Sequence, residues 1–165
     1  LTLSTRVDTR RAQRGFFYLA SFAKLKLMDL LLRLLITVVA TLGFIVAYYI
    51  GHKKRRSEAL VCPLNANCEA VIHSDYSTFL GIHLEYWGMG YYALVVLSYL
   101  SFISWPQFNF ASLPQAIEWL SIIAFLFSLY LTYIQAFKLR EWCTWCLISA
   151  LFSSIIFLSS LALYQ

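Results

Sequence analysis

Lys138-Leu139-Arg140-Glu141-Trp142-Cys143-Thr144-Trp145-Cys146 runs directly into Leu147 to Leu163, a stretch that is almost wholly apolar. A polar strip, a Cys-x-x-Cys pair and a membrane helix thus follow one another without a gap. The pair opens a transmembrane helix at the boundary between water and lipid. Residues three apart on a helix share a face, so both sulfurs can turn toward one ligand or toward each other. The free N–H groups and the positive dipole end of a helix N-terminus favour a thiolate, and the thiolate is the nucleophilic form of cysteine. Such a pair suits electron exchange between a thiol on the water side and a carrier on the lipid side. A structural disulfide, or two inert buried thiols, is the competing reading, and Cys-x-x-Cys alone does not exclude it.

Working outward, the composition agrees with a membrane setting. The chain has 165 residues, of which 61% are hydrophobic and 13% charged, whereas soluble domains carry about 25% charged residues. The net charge of +5 does not call for nucleic acid. The basic residues flank the apolar runs, where membrane proteins keep them. Four apolar stretches approach the roughly 20 residues needed to cross a bilayer: about 30–50, 88–105, 117–137 and 143–164. The expected fold is an all-α membrane protein, a four-transmembrane-helix bundle with a short amphipathic capping segment. Residues 1–28 read as a basic N-terminal tail followed by an interfacial segment with Phe16, Phe17, Tyr18 and Phe22 as aromatic anchors. Residues 29–165 form the membrane domain. Nothing in the first residues resembles a cleavable signal peptide.

The second informative stretch is Cys62-Pro63-Leu64-Asn65-Ala66-Asn67-Cys68. Pro and Asn favour turns, and this spacing permits a disulfide if the two Cα atoms come within about 7 Å. The segment from Glu69 to Tyr86 is too polar to span lipid. It suits a short amphipathic helix over the bundle mouth, ending near Gly81. With four spans, both cysteine pairs face one compartment and both termini face the other. The basic residues at the two ends nearly cancel as a topology signal. Lasting disulfides belong to oxidising compartments, which places the cysteine loops outside and the termini in the cytoplasm. Four cysteines could instead hold zinc, or their disulfides could be merely structural in a non-catalytic subunit of a membrane complex. His52, His73, His83, Asp75 and Glu85 read as solvated loop groups, and Tyr92 and Tyr133 as packing.

Taken together, a two-cysteine turn after span one, Ser74-x-Tyr76-Ser77, Gly81-Ile82, Gly88 entering span two and Cys-x-x-Cys opening span four resemble the vitamin K epoxide reductase family in its bacterial form. The resemblance covers about residues 28–165. It implies a membrane oxidoreductase, in a bacterial inner membrane, that takes electrons from a thioredoxin-fold partner and passes them to a quinone of the ubiquinone, menaquinone or plastoquinone type. By position, Cys143 and Cys146 resemble the active-site pair, with Cys146 on the quinone side. Cys62 and Cys68 resemble the shuttle pair. Ser74, Ser77, Phe79 and Leu80 match the segment capping the quinone pocket, and no metal is implied. Two departures stand out. His83 replaces a frequent proline after Gly81-Ile82, and Ser149-Ala150 falls where vertebrate members carry Thr-Tyr, so epoxide reduction is not implied. The chain ends at Gln165 without a fused thioredoxin domain, so the expected partner is a separate protein. Cys62 is expected to meet that partner and Cys68 to meet Cys143, with the reverse assignment left open.

Overall fold

The computed structural model describes residues 3–56, 58, 60–62, 68–104 and 112–164, with side chains from residue 24 to 163, Ser112 excepted. Helix α1 covers Leu3–Arg55 without interruption. No proline occurs before Pro63, so no residue in this stretch is forced to leave the helical ladder. The helix therefore continues through residues 15–28, where a separate interfacial segment was expected. The other long helices are α3, Leu84–Ser104, α4, Ser112–Tyr133, and α5, Thr144–Tyr164. Four stretches are long and apolar enough to cross a membrane: Lys24–Arg55, Leu84–Ser104, Leu113–Leu139, which runs past the end of α4, and Thr144–Leu163. The protein is a four-helix, multi-pass membrane protein. Large apolar side chains such as Leu31, Val38, Leu97, Leu126 and Leu129 face outward, toward what is hydrocarbon in a bilayer.

The bundle is asymmetric. Helix α1 lies along both α3 and α5, and α5 also lies along α4, whereas α3 and α4 scarcely touch. The core on the closed side contains Ile36, Ala40, Tyr92, Val95 and Ile156. Close approach of α1 and α3 depends on small residues, as packing in lipid generally does. Gly88 faces the Ala47 methyl, and Gly43 lies under the Tyr92 ring. Gly90, by contrast, faces open space. Arg33 pairs with Asp29 one turn earlier, at 2.9 Å.

The capping segment is not one amphipathic helix. It consists of α2, Cys68–Ile72, a 3-10 turn at Asp75–Ser77, and a hairpin of β1, Thr78–Phe79, with β2, Ile82–His83. The strands are antiparallel, with Thr78 opposite His83 and Phe79 opposite Ile82. Leu80 and Gly81 connect them with φ of 54° and 79°. Positive φ at both central residues is the hallmark of a two-residue type I′ hairpin turn. Gly81 accepts this conformation freely and Leu80 does not. The β-branched and aromatic residues around Gly81 favour the extended backbone of the two strands.

Candidate functional site

Helix α5 begins at the cysteine pair. The Cys143 carbonyl accepts the Leu147 N–H at 3.0 Å, and the Cys143 sulfur accepts the Cys146 N–H at 3.3 Å. Cys143 is thus the N-cap of α5, its sulfur standing where a Ser or Asp oxygen ordinarily sits. The Cys146 thiol donates to Cys143 Sγ across 2.6 Å. That hydrogen bond is the chief reason the Cys143 thiol is held below its ordinary range, against the opposing effect of burial. Cys143 is fully buried and Cys146 half-buried.

The approach to the pair is set by an irregular turn. Helix α4 loosens into a π-helical turn over Ile134–Leu139, and Arg140 follows in the left-handed region with φ of 54°. Single π turns often occur at functional positions. This one brings the buried Gln135 amide oxygen to the Cys143 N–H at 3.3 Å. The sequence signal for Gln135 was a lone amide in the apolar run Tyr133 to Phe137, which was read only as the end of a span.

Cys62 and Cys68 are joined by a disulfide, with Cα atoms 6.0 Å apart. The five residues between them, expected as a turn, lie outside the described residues. Cys68 is buried in one apolar cluster with Cys143, Ile50, Leu60, Val71 and Ile72, while Cys62 packs at its edge. The indole N–H of Trp145 donates to the Val61 carbonyl at 3.1 Å, and its ring meets Tyr49 with centroids 5.1 Å apart. The middle of the Cys-x-x-Cys therefore grips the segment leading into the other pair. Two cysteine pairs distant in sequence meet at one end of the bundle.

Beneath the cap lies a cavity of about 440 Å³. Its walls are mostly apolar side chains of all four long helices, and Cys146 is among them. Ser74, Ser77 and Phe79 line it as well, whereas Leu80 does not. Leu80 is 79% exposed at the hairpin tip, because the turn directs it away from the bundle. Phe79 bridges the weakly packed side of the bundle, meeting Trp87 on α3 and Phe127 on α4 edge-on. Tyr92 lines the cavity too, its hydroxyl donating to the Ser149 carbonyl at 2.8 Å and lying 2.9 Å from Ser149 Oγ.

Glu85, read as solvated, proves to be inside. The Glu85 carboxylate lies in the cavity wall, paired with Lys54 Nζ at 3.0 Å. Their side chains are only 7% and 11% exposed. Lys54 also reaches Ser77 Oγ and His83 Nδ1, each at 3.4 Å. By contrast His52 only stacks on Tyr48, and His73 and Asp75 are exposed. Among the described residues, no group of three or more His, Cys, Asp or Glu side chains is arranged to hold a metal ion.

A profile of the vitamin K epoxide reductase family matches residues 34–161. The chain belongs to that family. No curated protein matches the chain. Vitamin K epoxide reductase family membership makes this protein a membrane oxidoreductase of thiol–disulfide type, and the matched region contains both cysteine pairs, the cap and the cavity.

Proposed function

We propose that the protein oxidises the dithiol of a separate thioredoxin-fold partner on the extracytoplasmic side and passes the electrons to a lipid-soluble quinone, so supporting disulfide-bond formation. One observation carries this reading. Cys146 faces a large apolar cavity while Cys143, one helical turn before it, shares a buried cluster with Cys68 of the loop disulfide. The pair thus touches both a thiol route and an apolar chamber.

The residues fit a quinone ring. A cavity of about 440 Å³ lies within the roughly 300–1,000 Å³ usual for small-molecule sites, which combine apolar walls with a few polar groups. Ser74, Ser77 and Gln135 supply such groups here. The weak contact between α3 and α4 leaves a lipid-facing side through which an isoprenoid tail can extend. A bound quinone accepts two electrons and two protons.

The chain's own steps follow from thiol chemistry, in which a thiolate must meet a disulfide sulfur directly. The partner's thiolate attacks Cys62, the outer member of the Cys62–Cys68 bond, and Cys68 is released; the partner's second thiolate then displaces Cys62 from the mixed disulfide, so the partner leaves oxidised and Cys62 and Cys68 are both free. Cys68 attacks Cys143 of a Cys143–Cys146 disulfide, and Cys146 is released facing the cavity. Resolution of the Cys68–Cys143 bond by Cys62 or Cys146 determines which pair ends oxidised. With the electrons delivered, the Cys143–Cys146 bond re-forms. Trapping tests the order. Cys68→Ala, given the partner in its disulfide form, is expected to accumulate a partner–Cys62 mixed disulfide by the reverse of the first exchange, Cys62→Ala a Cys68–Cys143 bond, and Cys146→Ser to form no quinol. Mass spectrometry that finds the partner on Cys68, or Cys62 bonded to Cys143, reverses the assignment; quinol formed by Cys146→Ser at the wild-type rate removes Cys146 from the cavity-side role.

A further inference from the structure

The ion pair of Lys54 with Glu85 does not by itself account for a lysine in this place. Taking two charges out of water costs about what their attraction returns, and these two side chains are nearly buried. An ammonium has three N–H donors and no acceptor. Three acceptors lie within reach of Lys54 Nζ: Glu85 Oε1 at 3.0 Å, Ser77 Oγ at 3.4 Å and His83 Nδ1 at 3.4 Å. Because lysine cannot accept, the imidazole does, and His83 carries its proton on Nε2 in this contact. The three acceptors belong to three elements. Ser77 closes the 3-10 turn just before β1, His83 ends β2, and Glu85 lies in the first turn of α3. One ammonium near the end of α1 thus meets the hairpin where it begins and where it ends.

The hairpin needs such a tie. It has two residue pairs, and even longer isolated hairpins are barely stable in water. Its turn places Leu80 at positive φ, which a leucine resists. Its other attachments are to α3 and α4. The Phe79 carbonyl accepts the Trp87 indole N–H at 3.3 Å, and the Phe79 ring meets the Trp87 and Phe127 rings edge-on. Phe79 therefore closes the cavity on the side where α3 and α4 scarcely touch. A ring carried on so short a hairpin is held only as firmly as the hairpin's base, and the base is where Lys54 lies. Glu85 balances the ammonium beside an apolar chamber. A charged donor makes hydrogen bonds roughly twice as strong as a neutral one.

We propose that Lys54 is the positioning residue of the cap: balanced by Glu85, it holds Ser77 and His83 at the two ends of the hairpin and so keeps Phe79 seated between α3 and α4, where it retains the quinone ring. The histidine that stands where a proline is frequent then has a function, since a proline side chain accepts no hydrogen bond. The effect on quinone retention rests on the quinone reading; the effect on the hairpin does not.

Hydrogen exchange of the full chain in detergent, without quinone, reads the hairpin directly. Loss of one hydrogen bond shifts a local equilibrium by roughly 2–10-fold. Amides of residues 78–83 are expected to exchange faster by that factor in His83→Phe, which keeps a ring beside Tyr86 but removes the acceptor. His83→Asn, whose Oδ1 can stand in for Nδ1, is expected to exchange near the wild-type rate. The double variant Lys54→Met/Glu85→Met removes both charges together and leaves no buried charge unpaired; its hairpin is expected to exchange at least as fast as that of His83→Phe. A lysine that merely balances Glu85 predicts no change in either, so wild-type exchange in His83→Phe or in the double variant overturns the inference. Should the double variant fail to fold, the two His83 variants decide alone. Turnover with decylubiquinone reads the consequence. In His83→Phe the quinone KM is expected to rise about 2–10-fold with kcat changed less than about twofold, the signature of lost binding rather than lost chemistry, and His83→Asn is expected to restore it. An unchanged KM in His83→Phe overturns the retaining role. A wild type that forms no quinol overturns the quinone reading, and hydrogen exchange then decides the role of Lys54 by itself.

Discussion

Single residues fix the chamber by what they leave out as much as by what they add. Gly43 lies so close to Tyr92 that a methyl built on it would stand 2.4–2.7 Å from the ring. The ring cannot retreat, because Tyr92 is 2% exposed and its hydroxyl is fastened to Ser149 on α5. Gly43→Ala is therefore expected to separate α1 from α3 or break the Tyr92–Ser149 contact. Overpacking of a tight core costs about 1–3 kcal/mol, to be read as a lower melting temperature in detergent. Tyr92→Phe in the Gly43→Ala background frees the ring and should recover only part of the loss; full stability in Gly43→Ala alone contradicts the packing. Sequence reading took Tyr92 for packing. The structure gives it that role and a place in the cavity wall as well, because one face of α3 serves both.

At the level of elements, apolar length made the four spans legible, since a run of that length has few soluble alternatives. The cysteine pairs were legible for the same reason: a Cys-x-x-Cys opening such a run can only lie at the membrane edge. What escaped was set by tertiary contacts. The hairpin at Thr78–His83 contains just two pairs of residues, too short for an alternating pattern to show, and its turn uses a leucine where Asn or Gly is usual. Glu85 was read as solvated because it sits in a polar stretch; only the packing of α3 on Gly51 brings it inside, beside Lys54. The Trp145 latch likewise joins residues 84 apart in sequence. It predicts that Trp145→Phe, which keeps a ring against Tyr49 but deletes the N–H, loosens the Cys62 segment. A single hydrogen bond contributes about 0.5–1.5 kcal/mol, so formation of the Cys68–Cys143 bond in a Cys62→Ala background should slow by roughly 2–10-fold. Unchanged trapping kinetics would show that the segment is held by other contacts.

Considered as a whole molecule, the protein has two unlike ends. At one, Cys62–Cys68, the Trp145 latch, the cap and the Lys54–Glu85 pair crowd over the cavity. At the other, Arg33 pairs with Asp29 and lies 6.0 Å from the Phe102 ring near the end of α3. An even number of spans separates the loop pair from the start of α5, so all four cysteines belong to one side. Charge gives no clear orientation: Arg6, Arg10, Arg11 and Arg14 near one end oppose Lys53, Lys54, Arg55 and Arg56 near the other. The second group, however, is largely engaged by protein. Lys53 pairs with Glu58 at 2.6 Å, Lys54 with Glu85, and Arg55 bonds the Tyr86 hydroxyl. Paired charges are a weaker bar to transfer across a bilayer than free ones, which tilts the balance toward a cytoplasmic N-terminus. In the orientation proposed above, the cysteine end faces the oxidising side, where a disulfide such as Cys62–Cys68 persists. On intact cells briefly reduced with dithiothreitol, a membrane-impermeant maleimide is expected to label Cys62 well ahead of Cys143, which is fully buried. Labelling of Cys62 only after the cytoplasmic face is opened would invert the molecule, and would move its thiol partner to the cytoplasm with it.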